Sequence, residues 1–324
     1  MTGISNQVQT PFSSGARTSV ALAAGSTGGV SNLPANPNVT VTGTLYGALF
    51  TVWNMSNISA DGYISSYVAA NYDNAGASGV GNALPTITTL DMGSIQILMS
   101  ALSGTVATLT SLVASNLIQI SNDFSMNAAA LTTLTLTNLK YVGGQFIPNF
   151  ASLTSFSMPA LVAVTGACTP TIPLATTLSM PLLTYVGSNF NPSAAACTTL
   201  DLSSLQYLGG IFQPSFANLA TINLPAIVNI GSNVNITAAN LVTFSFGSTL
   251  KLVGGNVTMT GMKLNQASVD GILVSLAALD GTGGTTSYDS KTVNLSGGTS
   301  ATPSATGLTA KATLQGRGCT VTTN

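Results

Sequence analysis

The chain has no histidine and no glutamate, and only 15 of its 324 residues are charged, seven Lys or Arg and eight acids, all Asp. Without histidine, no Ser-His-Asp or Cys-His arrangement can be built. The basic residues Arg17, Lys140, Lys251, Lys263, Lys291, Lys311 and Arg317 are scattered, so no electrostatic footprint for nucleic acid exists. Three cysteines, Cys168, Cys197 and Cys319, form neither a disulfide framework nor a zinc spacing. No apolar run approaches the roughly 20 residues of a membrane helix; the longest, Leu45 to Met55, is interrupted by Gly47, Thr51 and Asn54. No secretory signal is read either, because the first basic residue is Arg17 and no apolar stretch follows it.

What is present is a repeat. One column of apolar residues, Leu90, Leu112, Leu134, Phe156, Leu178, Leu200, Ile222 and Phe244, recurs every 22 residues. A second column begins at Ile87 and a third at Met92, and further columns begin at Ile95 and Leu98. A glycine-rich pair recurs as Gly143-Gly144, Gly187-Ser188, Gly209-Gly210, Gly231-Ser232 and Gly254-Gly255, and the last copy carries one extra residue. A fixed period of this length implies a solenoid, in which no copy buries its apolar side alone. The period-two alternation around Leu134 and Leu136 makes that segment a strand. The expected fold is therefore mainly β: a parallel right-handed solenoid of eight 22-residue coils over residues 87–262, about 4.8 Å per coil and roughly 40 Å in all. Leu200→Ala is expected to cost about 2–5 kcal/mol.

The unit apolar-x-x-Leu-x-Leu-x-x-Leu-x-x-Val-Gly-Gly-x-Phe resembles leucine-rich repeats. Met158-Pro159, Met180-Pro181 and Leu224-Pro225 resemble the bacterial surface-antigen class, and the Val-Gly-Gly turn resembles the receptor L-domain. The resemblance implies a scaffold that binds rather than catalyses.

Four segments follow in order. Residues 1–44 are polar and of low complexity, and are expected to form an extended arm held against a partner through Val8, Phe12, Val20 and Leu22. Residues 45–86, with Tyr46, Phe50, Trp53, Tyr63, Tyr67 and Tyr72, are expected to cap the first coil, with a short helix after Asp61. Residues 263–324 read as helix, strand, helix, strand. Asn265 caps the first helix over Val269, Ile272, Leu273 and Leu276; Thr302-Pro303 starts the second, which Gly316 stops. The strings Ala267-Ser-Val-Asp-Gly-Ile-Leu, Thr292-Val-Asn-Leu-Ser-Gly-Gly-Thr, Ala312-Thr-Leu-Gln-Gly-Arg-Gly and Thr320-Val-Thr-Thr-Asn resemble a C-terminal module of leucine-rich proteins of tailed bacteriophages.

The acids are too dispersed for a hydrolytic pair: Asp91 and Asp201 share a phase but stand five coils, roughly 24 Å, apart. No calcium loop is written, and no metal, cofactor or catalytic residue is expected. The outward strand positions form a face of hydroxyls and amides: Thr89, Asp91, Thr133, Thr135, Ser155, Ser157, Thr177, Ser179, Thr199, Asp201, Thr221, Asn223, Thr243 and Ser245. Such a face either serves solubility or docks a host-surface glycan or protein. The functional expectation is a non-enzymatic phage virion surface protein, a capsid decoration, head fibre or tail-fibre-like receptor binder. It would join other virion proteins through its N-terminal arm, with a homo-oligomer allowed and no nucleic acid or membrane insertion. The rival class is a bacterial cell-surface leucine-rich-repeat adhesin, and a glycan-processing solenoid stands behind it.

Overall fold

The computed structural model describes residues 88–92, 96–98 and 101–324 in full, and the backbone alone of the strands Thr18–Leu22, Val39–Leu45, Ala48–Ile58 and Ile64–Ala69. Val8, Phe12, Tyr46, Tyr63 and Tyr72 fall outside it, as do the side chains of Val20 and Leu22. The fold is a mainly β parallel solenoid of about eight turns at 22-residue spacing, divided into two units, Met1–Leu153 and Thr154–Asn324.

Each coil supplies three parallel ladders. In the first unit, Thr89–Asp91, Ser111–Val113 and Thr133–Thr135 form the first ladder, with Leu90 over Leu112 over Leu134. Ile97–Leu98, Gln119–Ile120 and Tyr141–Val142 form the second. Leu102–Thr105 and Phe124–Asn127 form the third. The first coil's edge is covered by Ile64–Ala69, parallel to Thr89–Asp91 and followed outward by Ala48–Ile58, Val39–Leu45 and Thr18–Leu22. The segment after Asp61 is thus a strand rather than a helix; Ile64, Tyr67 and Val68 are β-branched or aromatic and suit a pleated surface.

In the second unit the second ladder runs unbroken through Ala163–Val164, Tyr185–Val186, Tyr207–Leu208, Asn229–Ile230 and Leu252–Val253. The corner after each first-ladder strand is a tight turn. Leu161 N–H reaches Met158 C=O at 3.2 Å and Leu183 N–H reaches Met180 C=O at 3.1 Å. Pro159 and Pro181 take the second turn position, where a fixed φ is preorganised. In the last copy the extra residue is Gly247, which moves that turn one residue along, so that Leu250 N–H closes on Gly247 C=O.

The first ladder is interrupted. Ser155–Ser157, Thr177–Ser179 and Thr199–Asp201 pair, and Thr221–Leu224 pairs with Thr243–Phe246, but no pairing joins the two groups. Wholly buried Phe216 stands at the corner entering Thr221–Leu224, where the coils before and after carry Ala194 and Ala238. Those alanine corners close with short turns, Cys197 N–H to Ala194 C=O at 3.1 Å and Leu241 N–H to Ala238 C=O at 3.0 Å. At Phe216 no matching bond from Leu219 N–H is formed among the described residues, although Leu153 N–H reaches Phe150 C=O at 3.4 Å at the equivalent corner, so ring size alone does not decide the turn. The interruption leaves Thr199–Asp201 without a paired strand on its far side. Leu200, expected in the core, is therefore only half-buried, whereas Leu178 is fully enclosed. Leu134, on the last first-ladder strand of the first unit, is half-buried as well.

The C-terminal segment extends the third ladder: Val234–Asn235, Val257–Thr258, Thr292–Asn294 and Thr320–Thr322 stack in parallel. Its two helices, α1 (Gln266–Ala277) and α2 (Ala305–Gly316), are inserted between these rungs. Asn265 caps α1, accepting Ser268 N–H at 2.8 Å, and Val269, Ile272, Leu273 and Leu276 are buried. The cap of α2 is Ser304, not Thr302, because Asp270 on α1 accepts Ser304 N–H at 2.9 Å and fixes the start there. The helix runs through Gly316, and the chain reverses at Gly318, whose φ of 78° suits glycine.

Candidate binding face

The predicted face exists as three ladders. In the first unit Thr89 lies over Ser111 and Thr133, and Asp91 over Val113 and Thr135. In the second, Ser155, Thr177 and Thr199 align, as do Ser157, Ser179 and Asp201. Thr221 pairs with Thr243 and Asn223 with Ser245, whose hydroxyl donates to Asn223 Oδ1 at 2.9 Å. Thr133, Ser155, Ser157, Thr199, Thr221, Asn223 and Ser245 are exposed; Thr89, Asp91, Thr135, Thr177, Ser179, Asp201 and Thr243 are half-buried. No ladder pairing joins Thr199–Asp201 to Thr221–Leu224, so the second unit pairs these positions as a three-strand set and a two-strand set.

Beside this face a threonine staircase escaped the sequence reading. Thr110 Oγ1 donates to Thr88 C=O at 2.9 Å and Thr132 Oγ1 to Thr110 C=O at 3.2 Å. In the second unit Thr176 and Thr198 repeat the bond one coil down. The staircase stops at Ala220, at the ladder break. These hydroxyls are engaged with the scaffold. Their signal was present, a threonine at 22-residue intervals, but it lies next to a face already accounted for by strand propensity.

The carboxylates are likewise occupied locally. Asp123 accepts Gln145 N–H at 2.7 Å, Asp201 accepts Ser203 N–H at 3.1 Å, and Asp289 accepts the Ser287 hydroxyl at 2.6 Å. Asp280 gathers the Thr282 hydroxyl and N–H, and this holds its carboxyl below the ordinary range. Asp201, Asp280 and Asp289 act within their own turns, and Asp123 reaches the coil after it. Among the described residues no group of three His, Cys, Asp or Glu is placed to hold a metal. Cys168, Cys197 and Cys319 are buried free thiols, and burial pushes the Cys168 and Cys197 thiols up, away from reactivity.

The second ladder carries an aromatic column that the sequence reading also missed. Tyr141 is exposed in the first unit; in the second, Tyr185 and Tyr207 are exposed and stack at 5.0 Å with planes 5° apart. Its cue was a tyrosine immediately before the inward Val or Leu of that ladder.

No helix among the described residues is long and apolar enough to cross a membrane. No family model, curated protein or solved structure matches the chain.

Proposed function

We propose that the protein is a non-enzymatic structural or binding component of a phage virion surface, a capsid decoration, head fibre or tail-fibre-like receptor binder, attached through its N-terminal segment. The observation carrying the non-enzymatic part is the use of the acids: the carboxylates of Asp123, Asp201, Asp270, Asp280 and Asp289 cap turns and helix starts. In that role each lends a carboxylate oxygen to a donor of the scaffold. The neutral face of Thr, Ser and Asn supports binding to a glycan or protein through hydrogen bonds. The virion assignment is supported by the resemblance of residues 267–324 to the C-terminal module of leucine-rich phage proteins. In that module the strands extend the third ladder, the helix Gln266–Ala277 packs against Thr243–Phe246, and the helix Ala305–Gly316 packs on the first helix.

The test is mass spectrometry of purified infectious particles. The proposal expects the chain there at a fixed copy number per particle. Recovery from the bacterial envelope, with none in particles, would establish the adhesin class instead.

A further inference from the structure

The three ladders of the last coil end differently. The third continues into Thr292–Asn294. The second is closed by a side chain, Lys291 Nζ, which donates to Val253 C=O at 2.9 Å while lying 4.6 Å from the Tyr288 ring centroid. The first is closed only in part. Thr243 and Ser245 turn their main-chain groups toward Thr221–Leu224, so Phe244 and Phe246 turn theirs outward. Ser268 Oγ accepts Phe244 N–H at 3.0 Å, and Asn265 N–H reaches Val242 C=O at 2.9 Å. Phe244 C=O and Phe246 N–H have no partner on that side among the described residues.

Asn265 stands where a ninth coil would enter its strand, but α1 starts there instead and draws away. Between the open edge and the helix lies a groove of about 200 Å³, bounded by Thr243, Ser245 and Asn265 and by Ala267, Gly271 and Ser275 of α1. Those three helix residues are spaced by four and so share a face. A Cβ built at Gly271 meets nothing within 4 Å. The groove thus has main-chain hydrogen-bonding groups on one wall, small side chains on the other, and no charged lining.

We propose that this edge receives an extended, uncharged peptide segment of a partner protein, added as a parallel strand. The free carbonyl and N–H belong to residues two apart, the spacing at which one residue of an incoming parallel strand donates to the first and accepts from the second. That residue lies over Ser245. A glycan hydroxyl can meet either group singly, whereas a peptide backbone meets both at ladder spacing and continues the outward column beyond Ser245. The inference is independent of the virion assignment, since any partner strand of this chemistry fits.

The experiment is calorimetric titration of the full chain with the blocked tetrapeptide Ile-Asn-Leu-Pro, the sequence that pairs with the opposite edge of Phe244–Phe246, because Lys263 and Asn265 already hold the ladder positions before it. Saturable one-to-one binding is expected. N-methylation of the peptide's Asn amide, which donates to Phe244 C=O, should weaken it about tenfold or more, as loss of a desolvated hydrogen bond does. Gly271→Leu should weaken it similarly by filling the groove, with thermal melting unchanged or raised. Absence of saturable binding overturns the proposal. So does equal binding of the methylated peptide, or equal binding by Gly271→Leu.

Discussion

Asn233 and Gly255, one coil apart, occupy complementary space: Asn233 Oδ1 lies where a Cβ at Gly255 would be, and it accepts the N–H of the next residue, Asn256, at 2.8 Å. The relation recurs. Asp123 faces Gly144 and accepts Gln145 N–H; Asn189 faces Gly210 and accepts Ile211 N–H at 2.9 Å. Where the earlier coil has Ala167 or Ile211 at this position, the pair reads Gly187-Ser188 or Gly231-Ser232. Thr165-Gly166, after Gln145, and Ser121-Asn122, after Ala101, depart from this rule. Gly210→Ala is predicted to cost about 1–3 kcal/mol by overpacking. Asn189→Ala should cost about 1–3 kcal/mol by leaving Ile211 N–H unsatisfied. The double change Asn189→Ala with Gly210→Ala should cost less than the sum of the singles, because both act on one contact. Urea-unfolding midpoints of the three variants measure it; strict additivity would refute the coupling.

Core truncation should separate two leucines that share one sequence column. Leu178→Ala is predicted to cost about 2–5 kcal/mol, since Leu178 is fully enclosed. Leu200→Ala should cost clearly less because Leu200 is half-buried. Thr199→Ala, on the exposed face, should fall within about 0.5 kcal/mol of the parent. Chemical denaturation of the three variants gives the order directly.

The columns were legible because every coil must present similar apolar volume to the same core. Asn265 was legible because a capping residue before a helical apolar pattern has one reading. The interruption after Thr199–Asp201 was not, because no column changes character there: the corner column mixes Val106, Ala128, Phe150, Ile172, Ala194, Phe216 and Ala238 throughout. The Asx positions were overlooked for a related reason. Asp123, Asn189 and Asn233 appear in some coils only, and their partner signal is a glycine in the next coil. The third ladder was also hidden, since in several coils it consists of single bridges such as Phe190 with Phe212.

Alkaline pH should destabilise the fold through its buried thiols. Burial raises the Cys168 and Cys197 pKa values above those of the unfolded chain. A raised folded pKa means the stabilisation is fully present below the unfolded thiol value, about 8.5, and is lost as pH rises beyond it. Melting temperature is therefore predicted to fall from about pH 8.5 upward, and Cys168→Val should flatten part of that slope. A parent and variant with identical slopes from pH 8 to 10 would contradict the assignment.

Attachment through the N-terminal segment is tested by truncation before Thr18. The strands Thr18–Leu22 and Val39–Leu45 pair within the chain, so a cut at residue 44 would remove scaffold together with the anchor. Removing residues 1–17 should leave the melting temperature unchanged and abolish incorporation into particles. Incorporation of the shortened chain would place the anchor elsewhere.

The three-ladder coil with one interrupted ladder is tested most directly by amide hydrogen exchange. Slow amides are predicted at 22-residue intervals, including Ser111 and Thr133 in the first unit and Thr199 and Thr243 in the second, whose N–H groups bond to the coil before. Thr221, at the same phase but across the break, has no such bond and should exchange fast, while Asn229 on the unbroken second ladder of the same coil stays slow. Protection without 22-residue recurrence, or a Thr221 amide as slow as that of Thr199, would contradict the account.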